Sequence, residues 1–425
     1  MIKADLAIVG IAELATPEGR QARSGSDLGR LTIIEDAAVA CRDGKIVFVG
    51  TEREYRRSVE IETDGRTLDA CSGTALPGFV DAHTHLAFAG WRESEFDERL
   101  RGATYSEIAA RGGGILSTVA STRAASREVL SELIGGRLNG MLALGTTTTE
   151  VKSGYGLSVE DELKQLEAVR DAAEGHPVQV VPTFLGAHTV PAEHRQSRTD
   201  YVDSIVGEMI PQVAGAGLAR YADAFVDAHA FALDEARRVL ETAREHGLGV
   251  RLHADQLADD GAAALAAELG AASADHLEYA SDAGLEAMAR AGTCGVVLPA
   301  ATFFLMMERR PPGRRLVDAG LPVAVATDFN PGSCPTESME AALWFACLWG
   351  GLTVDEAITG STLNAAHSLG LAGETGSLEP GKRADIVVHA VPNRYHLVYR
   401  FGVPRVRTVV AGGKVVVDEG QLLYP

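Results

Sequence analysis

Residues 80–85 read Val80-Asp81-Ala82-His83-Thr84-His85 and follow the apolar run Thr74-Ala75-Leu76-Pro77-Gly78-Phe79. A Pro-Gly turn leading into apolar residues predicts a core strand, with the two histidines at its C-terminal end. On an extended strand, positions i and i+2 face the same way, so His83 and His85 can grip one metal ion together. On a helix they would diverge by about 200°. The C-terminal end of a core strand is where a barrel carries its catalytic groups. Two histidines are too few for a catalytic metal site, which uses three or more protein ligands and one open position, so further ligands are required downstream.

From residue 75 onward, short apolar strands alternate with amphipathic helical segments, the rhythm of βα units around a parallel sheet. The strand candidates are 79–85, 146–152, 178–184, 222–227, 249–253, 273–277, 294–298 and 322–327, and helices are predicted over 159–173, 233–246, 259–269 and 282–291. Eight such units predict an α/β fold built on a closed (β/α)8 TIM-like barrel over residues 75–370. The long insert 86–145 is expected as an elaborated loop over the active-site face. Residues 1–74 and 371–425 carry short β-rich runs, with Asp43-Gly44 and Gly412-Gly413 as hairpin turns. Each part is too small for its own core, so the two are expected to pair into one small split β-sandwich built from both termini. The polar stretch 16–29 reads as an exposed loop.

The chain is long enough for a large core, and its composition is that of an ordinary globular protein. Lys and Arg number 39 against 58 Asp and Glu, a formal net charge of −19, which argues against nucleic acid or an anionic membrane as partner. An anionic small-molecule substrate would need local cations to overcome that background. The five cysteines are scattered, without Cys-x-x-Cys spacing, which fits a reducing cytoplasm. No secretion signal is read at the start of the chain, and the apolar run 295–307 is broken by Pro299 and too short to span a bilayer.

Four more metal-type or polar side chains fall at predicted strand ends: His188 after the third strand, His253 after the fifth, His276 in the sixth and Asp328 after the eighth. If the strands close, all four converge with His83 and His85 on one rim. Individually each has a structural alternative as a satisfied histidine or a turn residue; together they make a site. His229, near the fourth strand, is left outside the metal shell. His176, His194, His246, His367, His389 and His396 read as structural or surface residues.

The series Pro77-Gly78-Phe79-Val80-Asp81-Ala82-His83-Thr84-His85, then His253, His276 and Asp328, flanked by a split β domain, resembles the amidohydrolase superfamily. Lys152-Ser153-Gly154-Tyr155-Gly156 and Asp328-Phe329-Asn330-Pro331-Gly332-Ser333 resemble the branch acting in histidine degradation. That resemblance implies hydrolysis of 4-imidazolone-5-propanoate to N-formimidoyl-L-glutamate in the cytoplasm. It implies one Zn2+ or Fe3+ ion per subunit on His83, His85, His253 and Asp328, and a homodimer. It further implies substrate contacts from Arg92, Tyr155, His188, Gln256, Asn330, Gly332 and Ser333.

The chemistry is consistent. Opening a cyclic amide at neutral pH needs a strong nucleophile, and a metal lowers the pKa of water enough to supply one. Asp328 would take and return the proton, and His276 would polarise the carbonyl. An amide at Gln256 cannot act as a base. Arg92 with Tyr155 suits a carboxylate, although Arg92 could instead pair with Glu93 or Glu95. Lys152 is expected unmodified beside a single metal. Cys334 is expected to pack, and Gly112-Gly113-Gly114 lacks the context of a phosphate loop. Rival readings are a deaminase of purine, pyrimidine or triazine rings sharing the same metal shell, and a metal-free scaffold.

Overall fold

Both predicted hairpins form where residues that tolerate positive φ allow it. Asp43 and Gly44 sit at φ 51° and 76°, and Gly412 and Gly413 at 56° and 79°, the left-handed pair that suits two-residue turns between twisted strands. The two turns abut: a Cβ on Gly413 would lie 2.6 Å from the Gly44 Cα. The structure is a computed structural model, and it describes residues 1–103, 107, 111–227 and 230–423.

The N-terminal segment supplies β1 (Ile2–Thr16), β2 (Thr32–Arg42), β3 (Lys45–Thr51), β4 (Val59–Asp69) and β5 (Thr74–Pro77). The C-terminal segment supplies β14 (Ile386–His389), β15 (Val406–Ala411), β16 (Lys414–Asp418) and β17 (Gln421–Leu422). They form one sheet in the order β17-β16-β15-β14-β5-β1-β2-β3, with β4 parallel to β1. The two ends of the chain meet at β5, which runs parallel to β1 and antiparallel to β14. As the sequence predicts, neither end makes the unit alone.

The chain crosses to the second sheet at Gly78, where a Cβ would collide with the Thr147 side chain. Eight parallel strands follow: β6 (Phe79–Asp81), β7 (Thr146–Lys152), β8 (Gln179–Ala187), β9 (Tyr221–Phe225), β10 (Gly249–Ala254), β11 (Ser273–His276), β12 (Cys294–Val297) and β13 (Val323–Val325). Each pairs with its sequence neighbour, from β6 to β13. The predicted helices are present over Val159–Ala173, Leu233–Glu245, Ala262–Leu269 and Asp282–Ala291.

The barrel is nearly closed, and backbone and side-chain hydrogen bonds complete its seam. β6 and β13 share no ladder, but beyond their ends Asp328 N–H donates to the His83 carbonyl at 3.0 Å and His85 N–H to the Phe329 carbonyl at 2.8 Å. Below these, the Asp81 carboxylate accepts the Thr327 N–H at 3.1 Å and the Thr327 hydroxyl at 2.5 Å. Asp81 is wholly buried, and burial pushes its carboxyl up to about 7 against those hydrogen bonds. The seam therefore fixes His83 and His85 relative to Asp328.

Two expectations need correction. The insert 86–145 is largely helical, with helices Glu93–Leu100, Ile115–Ala124 and Arg127–Ala143 among the described residues. The last of these buries Leu130, Ile134, Leu138 and Met141, an i, i+4, i+8, i+11 face, and so belongs to the barrel wall. The polar stretch 16–29 is not a free loop. Leu28 is fully buried, and the Arg23 N–H donates to Asn364 Oδ1 at 2.8 Å, so polar composition conceals a segment laid against the barrel. The apolar helix Met339–Leu348 buries Met339, Ala342, Leu343 and Ala346 and leaves Leu348 exposed. Among the described residues, no helix is long and apolar enough to cross a membrane.

Replacing Asp81 with alanine would orphan both Thr327 donors. We expect a loss of roughly 1–3 kcal/mol per unsatisfied buried donor, read as a lowered urea midpoint of the variant against native protein.

Candidate metal centre and active site

Histidine tautomers here are set from behind. His83 Nδ1 donates to Asp275 Oδ2 at 2.6 Å, which leaves its Nε2 as a bare lone pair. His253 Nδ1 faces Asp223 Oδ2 at 3.1 Å, which orients its Nε2 the same way. His85 Nε2 lies 3.2 Å from the Nε2 atoms of both His83 and His253. Asp328 Oδ1 completes the group, 3.4 Å from His83 Nε2 and 3.5 Å from His85 Nε2. All four side chains are buried.

Burial first, and then the neighbouring histidines and Lys152, push His83 and His85 well below the usual imidazole range. Neutral imidazoles therefore aim lone pairs at one another beside a carboxylate. Three nitrogens and one oxygen at this spacing fit a single transition-metal or zinc-type ion and leave room for a further ligand.

A buried charge layer lies beneath. Lys152 Nζ donates to Glu150 Oε1 at 2.6 Å and Asp223 Oδ2 at 2.7 Å. Burial would depress the lysine, but Asp223 and Glu150 outweigh it and raise its pKa. Lys152 is thus a fully paired ammonium. Arg251, also wholly buried, donates to the carbonyls of Ala82 and Ser368 and lies 3.7 Å from both Glu150 and Asp275. Burial would likewise raise Asp223, yet Lys152 and His253 hold it well below the usual carboxylate range.

Above the histidines opens a cavity of about 530 Å³. Arg92, Tyr155, His188, Gln256, His276, Asn330, Gly332 and Ser333 all line it, with His85, His253 and Asp328 at its floor, while His83 lies below. His188 donates from Nδ1 to the Gly154 carbonyl at 3.0 Å and stacks on His85 at 5.1 Å between centroids. Burial, with His253 next, brings His188 down to about 3, so it is neutral with Nε2 as an acceptor.

Burial also raises the Tyr155 phenol, which keeps its proton. Arg92 pairs with Glu95 at 2.8 Å and still lies against the pocket-lining Gly332, so the salt bridge and the pocket position coexist. Glu95 also accepts from the Gly114 N–H at 3.0 Å and the Ser117 hydroxyl at 3.2 Å.

The Asn330 side chain organises its own loop. Its Oδ1 accepts the Gly332 and Ser333 N–H groups at 2.8 and 2.7 Å, and its Nδ2 donates to the Asp328 carbonyl and to Ser333 Oγ, both at 2.7 Å. That uses its full amide capacity, so a bound molecule would meet the backbone here. Burial lifts Asp328 up to about 7, against His253 and hydrogen bonds from Asn330 and Ser333. Cys334 is buried in a core cluster with Val80 and Ala82, as packing predicts. His229 lies outside the described residues.

Sequence reasoning did not single out Asp275, Asp223, Glu150 and Arg251, nor Glu162. The Glu162 carboxylate accepts the N–H groups of Gly154, Gly156 and Leu157 and thereby shapes the loop that carries Tyr155. For the four strand residues the available signal was their placement on alternating, inward-facing positions, as in Glu150 and Lys152 or Arg251 and His253.

The amidohydrolase family matches residues 74–416 of the chain. An adenosine deaminase from Xanthomonas campestris with bound zinc superposes with a TM-score of 0.74 at 19% identity, over 99% of this chain and 95% of that one. Atrazine chlorohydrolase from Arthrobacter aurescens TC1, complexed with zinc, gives 0.73 at 19% identity, over 99% and 97%. At such identities the likeness concerns the fold. Relatives named imidazolonepropionase are far more similar in sequence. The one from Symbiobacterium thermophilum is 52% identical over 98% of both chains, and that from Myxococcus xanthus 48% identical over 98% of both. The chain belongs to the amidohydrolase family and, within it, to the imidazolonepropionases.

Removing the carboxylate behind His83, in Asp275→Ala, is expected to weaken metal affinity by roughly 10–100-fold. Competition against a chromophoric chelator measures it.

Proposed function

We propose that the protein hydrolyses the ring amide of 4-imidazolone-5-propanoate to N-formimidoyl-L-glutamate, the imidazolonepropionase step of histidine degradation. The observation that carries this reading is a metal-type donor set at the floor of a pocket whose wall holds an oriented guanidinium, Arg92, for the propanoate carboxylate. The cation also sets this reading apart from a deaminase of neutral ring bases.

His83, His85, His253 and Asp328 would hold one ion per subunit. When bound, the ion supplies a strong nucleophile at neutral pH by lowering the pKa of water. Near it, the buried cations Lys152 and Arg251 lie among the carboxylates of Glu150, Asp223 and Asp275.

Asp328, facing the water at the end of the eighth strand, accepts the proton released in the attack and returns it to the leaving ring nitrogen. His276 donates to the carbonyl oxygen as negative charge develops there. Arg92, steadied by Glu95, and the Tyr155 hydroxyl clamp the propanoate. His188, through Nε2, accepts a ring N–H. Gln256 contributes hydrogen bonds and no proton transfer. Gly332, Ser333 and the Asn330 backbone shape the rim around the substrate.

The division into 1–74, 75–370 and 371–425, a homodimeric state and a cytoplasmic location complete the proposal.

Arg92→Ala is expected to raise KM about tenfold or more, since it removes a charged hydrogen-bonding partner. The direct test follows the ultraviolet absorbance of freshly made imidazolone propanoate with native protein and with Asp328→Asn. Loss of the ring chromophore with native protein only, giving formiminoglutamate, supports the assignment. No loss above the spontaneous rate, with the ion present, would contradict it and direct attention to cyclic deaminase substrates.

A further inference from the structure

Two residues beyond His276 lies a buried carboxylate that the reaction as described leaves idle. Glu278 has no exposed side-chain surface, and its Oε1 accepts the Thr302 hydroxyl at 2.7 Å. Its Oε2 is buried without a partner among the described residues and lies 3.9 Å from His276 Nδ1. A wholly buried carboxylate oxygen with no donor is costly, and such exceptions call for an explanation.

The backbone supplies one. His276 and Leu277 sit at φ 78° and 70°, consecutive non-glycine residues in the left-handed region. L side chains adopt that region only when the surroundings impose it. Here the Leu277 N–H donates to the Ala254 carbonyl at 3.0 Å and the Tyr279 N–H to the Asp255 carbonyl at 2.8 Å. This held, strained turn at the end of β11 brings the side chains of residues 276 and 278 together. Thr302 and Arg309, from the segment after β12, anchor Glu278 from the other side, Arg309 donating to its carbonyl at 3.2 Å.

We propose that Glu278 is the positioning residue of His276: its Oε2 holds the imidazole through Nδ1, so that the ring presents Nε2–H to the substrate carbonyl oxygen. The inference rests on His276 acting on that carbonyl. Hydrogen bonds of this kind are often long without substrate and tighten in the complex. Burial brings the Glu278 carboxyl up to about 7, so Oε2 can carry a proton and donate it to Nδ1 of the neutral imidazole. A protonated Oε2 donating to Nδ1 selects the tautomer that carries its hydrogen on Nε2, which is then a donor, whereas an ionised carboxylate taking Nδ1–H would leave Nε2 bare, as at His83.

Steady-state ring opening by the metal-loaded enzyme tests this with Glu278→Leu, Glu278→Gln, His276→Ala and the double variant His276→Ala/Glu278→Leu. Glu278→Leu is expected to lower kcat by roughly 10–100-fold with little change in KM or bound metal. Glu278→Gln, whose amide N–H can hold Nδ1, should recover most of that loss. In the His276→Ala background, Glu278→Leu should add nothing.

An unchanged kcat in Glu278→Leu, a glutamine no better than leucine, or an equal loss in both backgrounds would overturn the proposal. If His276→Ala itself keeps full kcat, the role given to His276 fails, which is a different result. Should Glu278→Leu not fold, the 15N shifts of the native His276 ring, assigned by their loss in His276→Ala, decide the matter. A protonated Nε2 supports the proposal, and a bare Nε2 overturns it.

Discussion

Three buried imidazole nitrogens and a carboxylate oxygen converge in a dry core, His85 Nε2 lying 3.2 Å from those of His83 and His253 and Asp328 Oδ1 3.4 and 3.5 Å from those of His83 and His85, an arrangement of lone pairs that calls for a positive charge among them. That electrostatic requirement orders the rest of the molecule. His83 and His85 come from the end of the first barrel strand, His253 from the fifth and Asp328 from just beyond the last, so the barrel must close for the donors to meet. Closure depends on Asp81, two residues before His83, whose carboxylate takes both donors of Thr327, the neighbour of Asp328. The same short stretch therefore provides two of the candidate donors and the clasp that holds them in register.

Below and above this point, the chain uses one device repeatedly: a buried or half-buried carboxylate that fixes a working group from behind. Asp275 orients His83, and Asp223 faces His253 while pairing with Lys152. Glu95 braces Arg92, and Glu162 gathers the backbone of the loop carrying Tyr155. Groups supported in this way lose little conformational freedom when substrate arrives, which is how a pocket of mostly neutral side chains can orient a small anion. The excess of acidic residues is thus partly structural, and the Arg92 guanidinium supplies local positive charge at the pocket wall.

Much of this was legible in the sequence. Most of the eight strands are visible because they are short apolar runs bounded by turn residues, and the helix 159–173 because its apolar positions recur at helical spacing. His83, His85, His253, His276 and Asp328 stand out because metal-type side chains at strand ends are informative. The supporting carboxylates do not stand out. Asp275 and Glu278 flank His276 in a stretch that reads as an ordinary strand end, and only the left-handed turn at His276 and Leu277 gives Glu278 its direction. Glu150 and Arg251 become interior residues only once the sheet curls. Composition misled at 16–29, where a polar segment packs through Leu28, and at 86–145, where the helix 127–143 carries Gly135 and Gly136 within its span.

The central claim is that one ion sits on His83, His85, His253 and Asp328 while Lys152 remains an unmodified, paired ammonium. Elemental analysis of the purified protein, with anomalous diffraction at the metal edge to place what is found, tests it most directly. One divalent ion per chain, centred among those four side chains, is the predicted result. Two ions flanking a carbamylated Lys152, or a protein fully active with none, would contradict the account.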